Sequence, residues 1–292
     1  MSITKMFKRY AAPVALASAL LIPNAFASVE DGLKALEGND LAKAAQDFNK
    51  AFTEGDGDGA FYLGRMAEFG VGLPADLPRA AALYKVAAEK GSVKAMNRLG
   101  LMHLNGNGAL QNYTKALELI CGAADKGDAN AQFNCGNLYA QGKGAEKSIV
   151  KAVDFYRLAS QQDHIAGTNF LALATLGGSG TDKNIEQAFE LFNKTAAQGN
   201  PLGLYQAGAM LADGQGTAKD LVEAHTLLNL AAARGHPAAS AKRAEIEKEM
   251  TPAEVTKAQE KAVNWTAESP SDAKPDAKPK DEKKKKTGWF GK

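Results

Sequence analysis

Glycines recur in pairs at a fixed step of 36 residues: Gly70 and Gly72, Gly106 and Gly108, Gly142 and Gly144, Gly178 and Gly180, Gly214 and Gly216. A strict period of this length constrains the fold more than any other feature of the chain, because each period must be one supersecondary unit that stacks on its neighbours. Further columns keep the same step. Gly64, Gly100, Gly136 and Gly208 form one, with Ala172 as the exception. Gly91, Gly127, Gly199 and Gly235 form another, interrupted by Asp163. Ala80, Ala116, Ala152, Ala188 and Ala224 form a third without exception.

The columns read as helix, Gly-x-Gly turn, helix, short turn. Apolar residues at helical spacing flank the small residue of the first half, as in Leu63-Gly64 and Leu99-Gly100. The glycine pair follows, where a left-handed residue ends a helix. Asp76, Asn112, Ser148, Asn184 and Asp220 come next; all are strong N-cap types and predict the start of a second helix. The stripe Ala80, Leu83, Tyr84, Ala87, Ala88 then has the spacing of one buried helix face. A phosphate-binding Gly-x-Gly follows a strand and opens a helix. Here the motif follows helices five times over and no strand pattern precedes it, so it is punctuation.

Five gapless units result, 56–91, 92–127, 128–163, 164–199 and 200–235, forming a domain over 56–235. The expected fold is all-α, a right-handed α-solenoid of stacked antiparallel helix pairs. Residues 28–55 hold half a unit in register, with Asp40 in the cap column and Phe48 in the aromatic slot, and are expected to form an N-terminal cap. Residues 236–265 are expected to form C-terminal capping helices. Thr251-Pro252-Ala253-Glu254 reads there as a capping box with proline at the first helical position.

The two ends differ from this array. Lys5, Lys8 and Arg9, an apolar run from Ala11 to Ile22 and Ala25-Phe26-Ala27 have the layout of a secretory signal peptide over 1–27, cut before Ser28. The run is shorter than the ~20 residues a bilayer requires. From Thr266, three prolines and dense charge predict a disordered, Lys-rich tail over 266–292. Its Lys283–Lys286 run, followed by Trp289 and Phe290, offers weak contact with an anionic membrane surface. The formal charge of +2 includes +3 from each end, which leaves −4 for residues 28–265. A mildly acidic folded part argues against a nucleic-acid surface.

"AMNRLGLMHLNGNG…NYTKALELICGAADKG" (95–127) and "AQFNCGNLYAQGKG…SIVKAVDFYRLA" (131–159) resemble the Sel1-like repeats, relatives of the tetratricopeptide repeat. The departures gather at unit four, at Ala172 and Thr195, and at Asp163 just before it. The resemblance implies a non-enzymatic scaffold that binds a protein or peptide in the cell envelope, periplasmic or secreted, and acts as a monomer. Two other readings stand beside it: an enzyme acting on β-lactams or peptidoglycan, and a glycan-binding or cell-wall scaffold. The first helices of such an array line a concave groove. The slots expected to point into it hold Phe61, Asn97, Phe133, Asn169 and Tyr205, and Arg65, Leu101, Asn137, Leu173 and Ala209. Aromatic faces would anchor a partner and asparagine amides would bond an extended backbone.

Cys121 and Cys135 fall on helices that such a hairpin makes antiparallel neighbours. Cysteine-rich members of the family resemble this arrangement, with a bridge nearer the turn. Together with an oxidising compartment, that implies a disulfide, two buried free thiols being the other reading. The four histidines form no zinc motif, and no nucleophile elbow is present, so no catalytic residue, metal or cofactor is expected.

Overall fold

The structure, a computed structural model, describes residues 29–267; the signal-peptide and Lys-rich-tail expectations lie outside the described residues. Those residues form fourteen α-helices, one 3-10 turn and no strand. They divide into two compact units, the first ending at Ser92 and the second beginning at Val93. The N-terminal unit holds α1 (Val29–Glu37), α2 (Leu41–Thr53), α3 (Gly57–Phe69) and α4 (Leu77–Glu89). The C-terminal unit holds α5 (Val93–Asn105), α6 (Tyr113–Asp125), α7 (Ala129–Gln141), α8 (Ile149–Ser160), α9 (Ile165–Gly177), α10 (Ile185–Ala197), α11 (Pro201–Asp213), α12 (Leu221–Ala233), α13 (Ala239–Ile246), the 3-10 turn Glu247–Glu249 and α14 (Pro252–Val263). Within each unit successive helices pack as antiparallel pairs, and the pairs stack.

The second helices start where cap side chains replace missing backbone partners. Asp40, Asp76, Asn112, Asn184 and Asp220 each accept the N–H three residues on at 2.9–3.0 Å, and Ser148 does so at 3.3 Å. The first glycine of each turn pair is left-handed, φ 65° to 74°, and ends the first helix. The second serves close approach. A Cβ on Gly180 would lie 2.8 Å from the carbonyl oxygen of Ile149, and one on Gly216 2.5 Å from that of Ile185. The turn therefore sits on the first residue of the preceding second helix.

The small-residue column has a specific cause. A Cβ on Gly64 would meet the Tyr84 ring at 2.6 Å, on Gly100 the Ile120 side chain at 2.5 Å, and on Gly136 the Tyr156 ring at 2.6 Å. Each repeat thus folds a bulky side chain from its second helix onto the bare backbone of its first, twenty residues earlier. Gly208 faces Leu228 in the same way at 3.0 Å. The alanine column packs behind it: Ala80, Ala116, Ala152, Ala188 and Ala224 are all buried. Burial of these apolar faces against the next pair is what a single hairpin cannot achieve.

Each unit closes its own terminal helices. In the N-terminal unit Phe48 is buried and stacks on Tyr62 with ring centroids 5.0 Å apart. In the C-terminal unit Thr251 and Glu254 form a reciprocal capping box at the start of α14, Thr251 N–H donating to Glu254 Oε2 at 2.8 Å. Before it, α13 ends at Ile246 and tightens into the 3-10 turn. Trp265 follows α14 and carries Arg234 over its ring at 4.8 Å.

Cys121 of α6 and Cys135 of α7 are joined, S–S 2.02 Å with Cα atoms 5.1 Å apart, across the hairpin between them. Cys135 is buried, while Cys121 borders an open cavity of about 550 Å³ between α6 and α8 whose other walls include Tyr139, Phe155 and Leu158.

Candidate protein-interaction site

The structure sorts the sequence-predicted groove residues into those that the fold consumes and those that it leaves accessible. In the N-terminal unit Phe61 is buried, at 6% exposure, against Tyr62 and Tyr84. Arg65 is exposed, with its guanidinium 4.9 Å from the centre of the Phe69 ring and 6.0 Å from that of Phe61.

In the C-terminal unit Asn169 departs from the expectation of a free amide. It is 4% exposed, its Nδ2 donates to Asn200 Oδ1 at 2.9 Å, and its Oδ1 accepts from Thr195 Oγ1 at 2.7 Å. It ties α9 to α10 and to the cap of α11, and presents no free polar atom to a partner's backbone. Thr195, which breaks the family's small-residue pattern, is the residue that makes this bond. Asn97 and Asn137 are half-buried and half-used. Asn97 Oδ1 accepts from Asn134 Nδ2 at 3.1 Å, and Asn137 Oδ1 accepts from the Tyr156 hydroxyl at 2.7 Å. Both keep an amide nitrogen for a carbonyl acceptor. Burial pushes the Tyr156 hydroxyl up to about 12, so it remains a donor to Asn137 throughout the neutral range.

Phe133 sits at the centre of a ring cluster: Tyr156 at 5.9 Å, Phe170 at 5.5 Å and His164 at 5.1 Å between centroids. Leu101 is half-buried against the cluster around Cys135 and Leu138. Tyr205 stacks on His236 at 4.1 Å, where burial holds the imidazole below its ordinary value.

Phe170, outside the expected slots, and Leu173, which shares the slot of Arg65, Leu101 and Asn137, add most to this face. Phe170 is 42% exposed and Leu173 39% exposed, on the same stripe of α9. The slot pattern points to Leu173; the signal for Phe170 was in the composition of the first helices. The 13-residue helices α7, α9 and α11 carry between them a single charged side chain, Asp213 at the very end of α11. The second helices of the same unit carry acids and bases along their outer faces. On the first-helix side of α7 and α9 there is therefore an uncharged surface of aromatic rings, aliphatic side chains and amide nitrogens. That composition, aromatic-rich and depleted of charge, is what the centre of a protein interface has.

Chemistry of other kinds finds little support in the arrangement. Ser148 and Lys151 have the Ser-x-x-Lys spacing of acylating enzymes. Ser148 Oγ is occupied as the α8 cap, accepting the Lys151 backbone N–H, and the Lys151 ammonium lies 5.0 Å from the centre of the Tyr139 ring. Among the described residues no cluster of His, Cys, Asp and Glu could hold a metal ion, and no helix is long and apolar enough to cross a membrane.

Stacked helix pairs that bear an uncharged face define an α-helical repeat protein built around a surface. The Sel1 repeat model matches residues 57–92, 93–128, 129–164, 166–200 and 201–236, and the chain belongs to the Sel1 repeat family. Two solved structures resemble it across most of its length. One is c5321, a protective antigen present in uropathogenic Escherichia coli strains and displaying an SLR fold, with 27% identity and a TM-score of 0.71 over 80% of this chain. The match covers 52% of c5321, so the chain spans about half the length of that relative. The other is a Sel1 repeat protein from Oxalobacter formigenes, with 25% identity and a TM-score of 0.70, covering 82% of this chain and 97% of that one. No curated protein matches the chain. Sel1 repeat proteins generally mediate protein–protein interaction, and their fold is typically a non-enzymatic scaffold.

Proposed function

We propose that this chain is an exported, non-enzymatic scaffold that holds a protein or peptide partner in the cell envelope on the first-helix face of its C-terminal unit. The observation that carries the reading is the charge-free face of α7 and α9, with Phe170 and Leu173 exposed beside Phe133 and Asn137. Apolar side chains of the partner would lie on Phe170, Leu173 and Leu101, while the amide nitrogens of Asn97 and Asn137 donate to its carbonyls. Arg65 of the N-terminal unit, backed by Phe69, is a separate cationic contact. An extracytoplasmic location fits the disulfide of the α6–α7 hairpin and the signal-like N-terminus. The antigenic character of c5321 is in keeping with it.

The test is crosslinking and affinity purification from envelope extract with the full chain and a Phe170→Ala/Leu173→Ala variant. Both side chains are already part-exposed, so the variant should fold, with a Tm lowered by the lost Phe170 contacts to Phe133 and Tyr156. Loss of about tenfold or more of the principal partner is the expected outcome, since truncating interface anchors costs 1–2 kcal/mol each. Full recovery by a folded variant would remove this face from consideration.

A further inference from the structure

We propose that the α9 side of this face is gated by acid through His164, whose unprotonated imidazole nitrogen caps the helix at neutral pH and lets its first turn loosen in a mildly acidic medium. The first helices α3, α7, α9 and α11 are capped by Asp56, Asp128, His164 and Asn200. Each side chain accepts a backbone N–H of the first turn: Asp58 at 2.8 Å, Ala131 at 2.6 Å, Gly167 at 3.0 Å and Gly203 at 3.0 Å respectively. An amide oxygen does not titrate, and a capping carboxylate keeps its charge well below neutrality. The imidazole alone changes its hydrogen-bonding sense in the range where envelopes and host compartments acidify.

The geometry fixes the tautomer. His164 Nδ1 accepts from Gly167 N–H, so the proton resides on Nε2, which faces Asn130 Oδ1 at 3.3 Å. A second proton would turn Nδ1 into a donor aimed at a donor. It would also place a positive charge at the N-terminus of α9, where the helix dipole disfavours it. The cap, and with it the first turn of α9, is then lost.

The surroundings reinforce this direction. Burial holds the His164 imidazole below its ordinary value, and Asp128 at the cap of α7 opposes that in part. Asp163, next in the chain, is already paired with Lys194 of α10 at 2.7 Å. From α7 the imidazole meets Asn130 and the Phe133 ring, and the α8 residue in this cluster, Tyr156, is neutral. Because the folded value is the lower one, the unfolded form takes up the proton first. The stability supplied by the cap is complete above the ordinary histidine value and drains away as pH falls through it towards the folded value. Since the His164 ring packs on Phe133, and Phe133 on Phe170, fraying reaches the apolar stripe within two turns.

The consequence for a partner rests on the reading of this face given above, but the local event does not, and the experiment measures the local event. Amide hydrogen exchange of the full chain is followed at pH 7.5 and pH 5.0, corrected for intrinsic rates, in peptides covering 164–172 and, as an internal reference, 201–213. His164→Asn borrows the cap of α11 and is the conservative variant; His164→Ala has no cap. Wild-type protection at Gly167 and Thr168, whose amides bond His164 in the first turn, should fall about five-fold on acidification relative to the reference, the effect of losing one cap. His164→Asn should be flat, and His164→Ala should be weak at both pH values. Unchanged wild-type protection, or an equal fall in His164→Asn, would overturn the gate. Loss of partner on substituting Phe170 and Leu173 is read separately, so failure of the docking assignment leaves this measurement interpretable.

Discussion

At the scale of single residues, glycines that look alike in the repeat are held for different reasons, and substitution separates them. Gly127 has φ 93°, and a Cβ there would find nothing within 4 Å. Gly127→Ala should cost roughly 1 kcal/mol through backbone strain alone. Gly136→Ala would drive a Cβ to 2.6 Å from the Tyr156 ring and 3.0 Å from the Ala152 carbonyl, and should cost about 2–3 kcal/mol by overpacking. Asp163 shows the converse case. It occupies a glycine slot with φ 58°, a conformation aspartate tolerates but does not prefer. Asp163→Gly should therefore stabilise the C-terminal unit by about 0.5–1 kcal/mol, offset only slightly by loss of the exposed pair with Lys194. Urea midpoints of the three variants check these signs, and a less stable Asp163→Gly would show that the ion pair outweighs the strain.

At the scale of the helical element, caps and the hairpin staple carry the predictions. Asn112 caps α6 through a 2.9 Å bond to Lys115 N–H, and Asn112→Ala should lose about 1 kcal/mol. The disulfide closes a loop with a sequence separation of 14 residues between α6 and α7. Reduction should lower stability by roughly 2–3 kcal/mol on the chain-entropy account. Cys121 borders the open cavity, so a small phosphine reductant has a route to the bond. Thermal unfolding with and without that reductant measures the effect; a Cys121→Ala/Cys135→Ala variant should match the reduced protein and be indifferent to the reagent. Alkylation without reductant followed by mass spectrometry would find two labelled thiols only if the bridge were absent.

At the scale of the whole molecule, the uncharged first-helix face has a consequence for how partners are held. Binding that depends on α7 and α9 should change by no more than about threefold between 50 and 500 mM salt, because screening acts on charges that this face does not carry. A steep salt dependence would move the contact to the charged second helices or to Arg65. The export reading is checked by the N-terminus of the protein recovered from the envelope, which should begin at Ser28. The C-terminal cap matters to the array as a whole. Thr226 donates to the Ala258 carbonyl at 3.2 Å, and Ile246 and Ala258 are buried with it. Removing residues from 238 onward should expose the apolar side of α12 and promote aggregation, visible by light scattering.

Most of the fold was legible because repeat architecture is written in local, periodic choices: Asp76 and its column can start a helix, and Gly70 and its column can end one, whatever lies nearby. The family match and the helix pairs rest on those same columns. The site was legible only in part. Phe61 and Asn169 are buried, while surface comes from Leu173, which a slot named, and from Phe170, which none did. The 36-residue period assigns a residue to a face of its own helix; it does not say which neighbour reaches across to it. Asn97 meets Asn134, 37 residues on, and Asn169 meets Thr195 and Asn200, because adjacent pairs interlock with their own register. The sequence by itself determined where each helix begins, ends and turns its small residues. Tertiary structure alone decided which polar and aromatic groups are spent on neighbours and which remain for a partner, since satisfaction of a side chain depends on groups that only packing brings within hydrogen-bond reach.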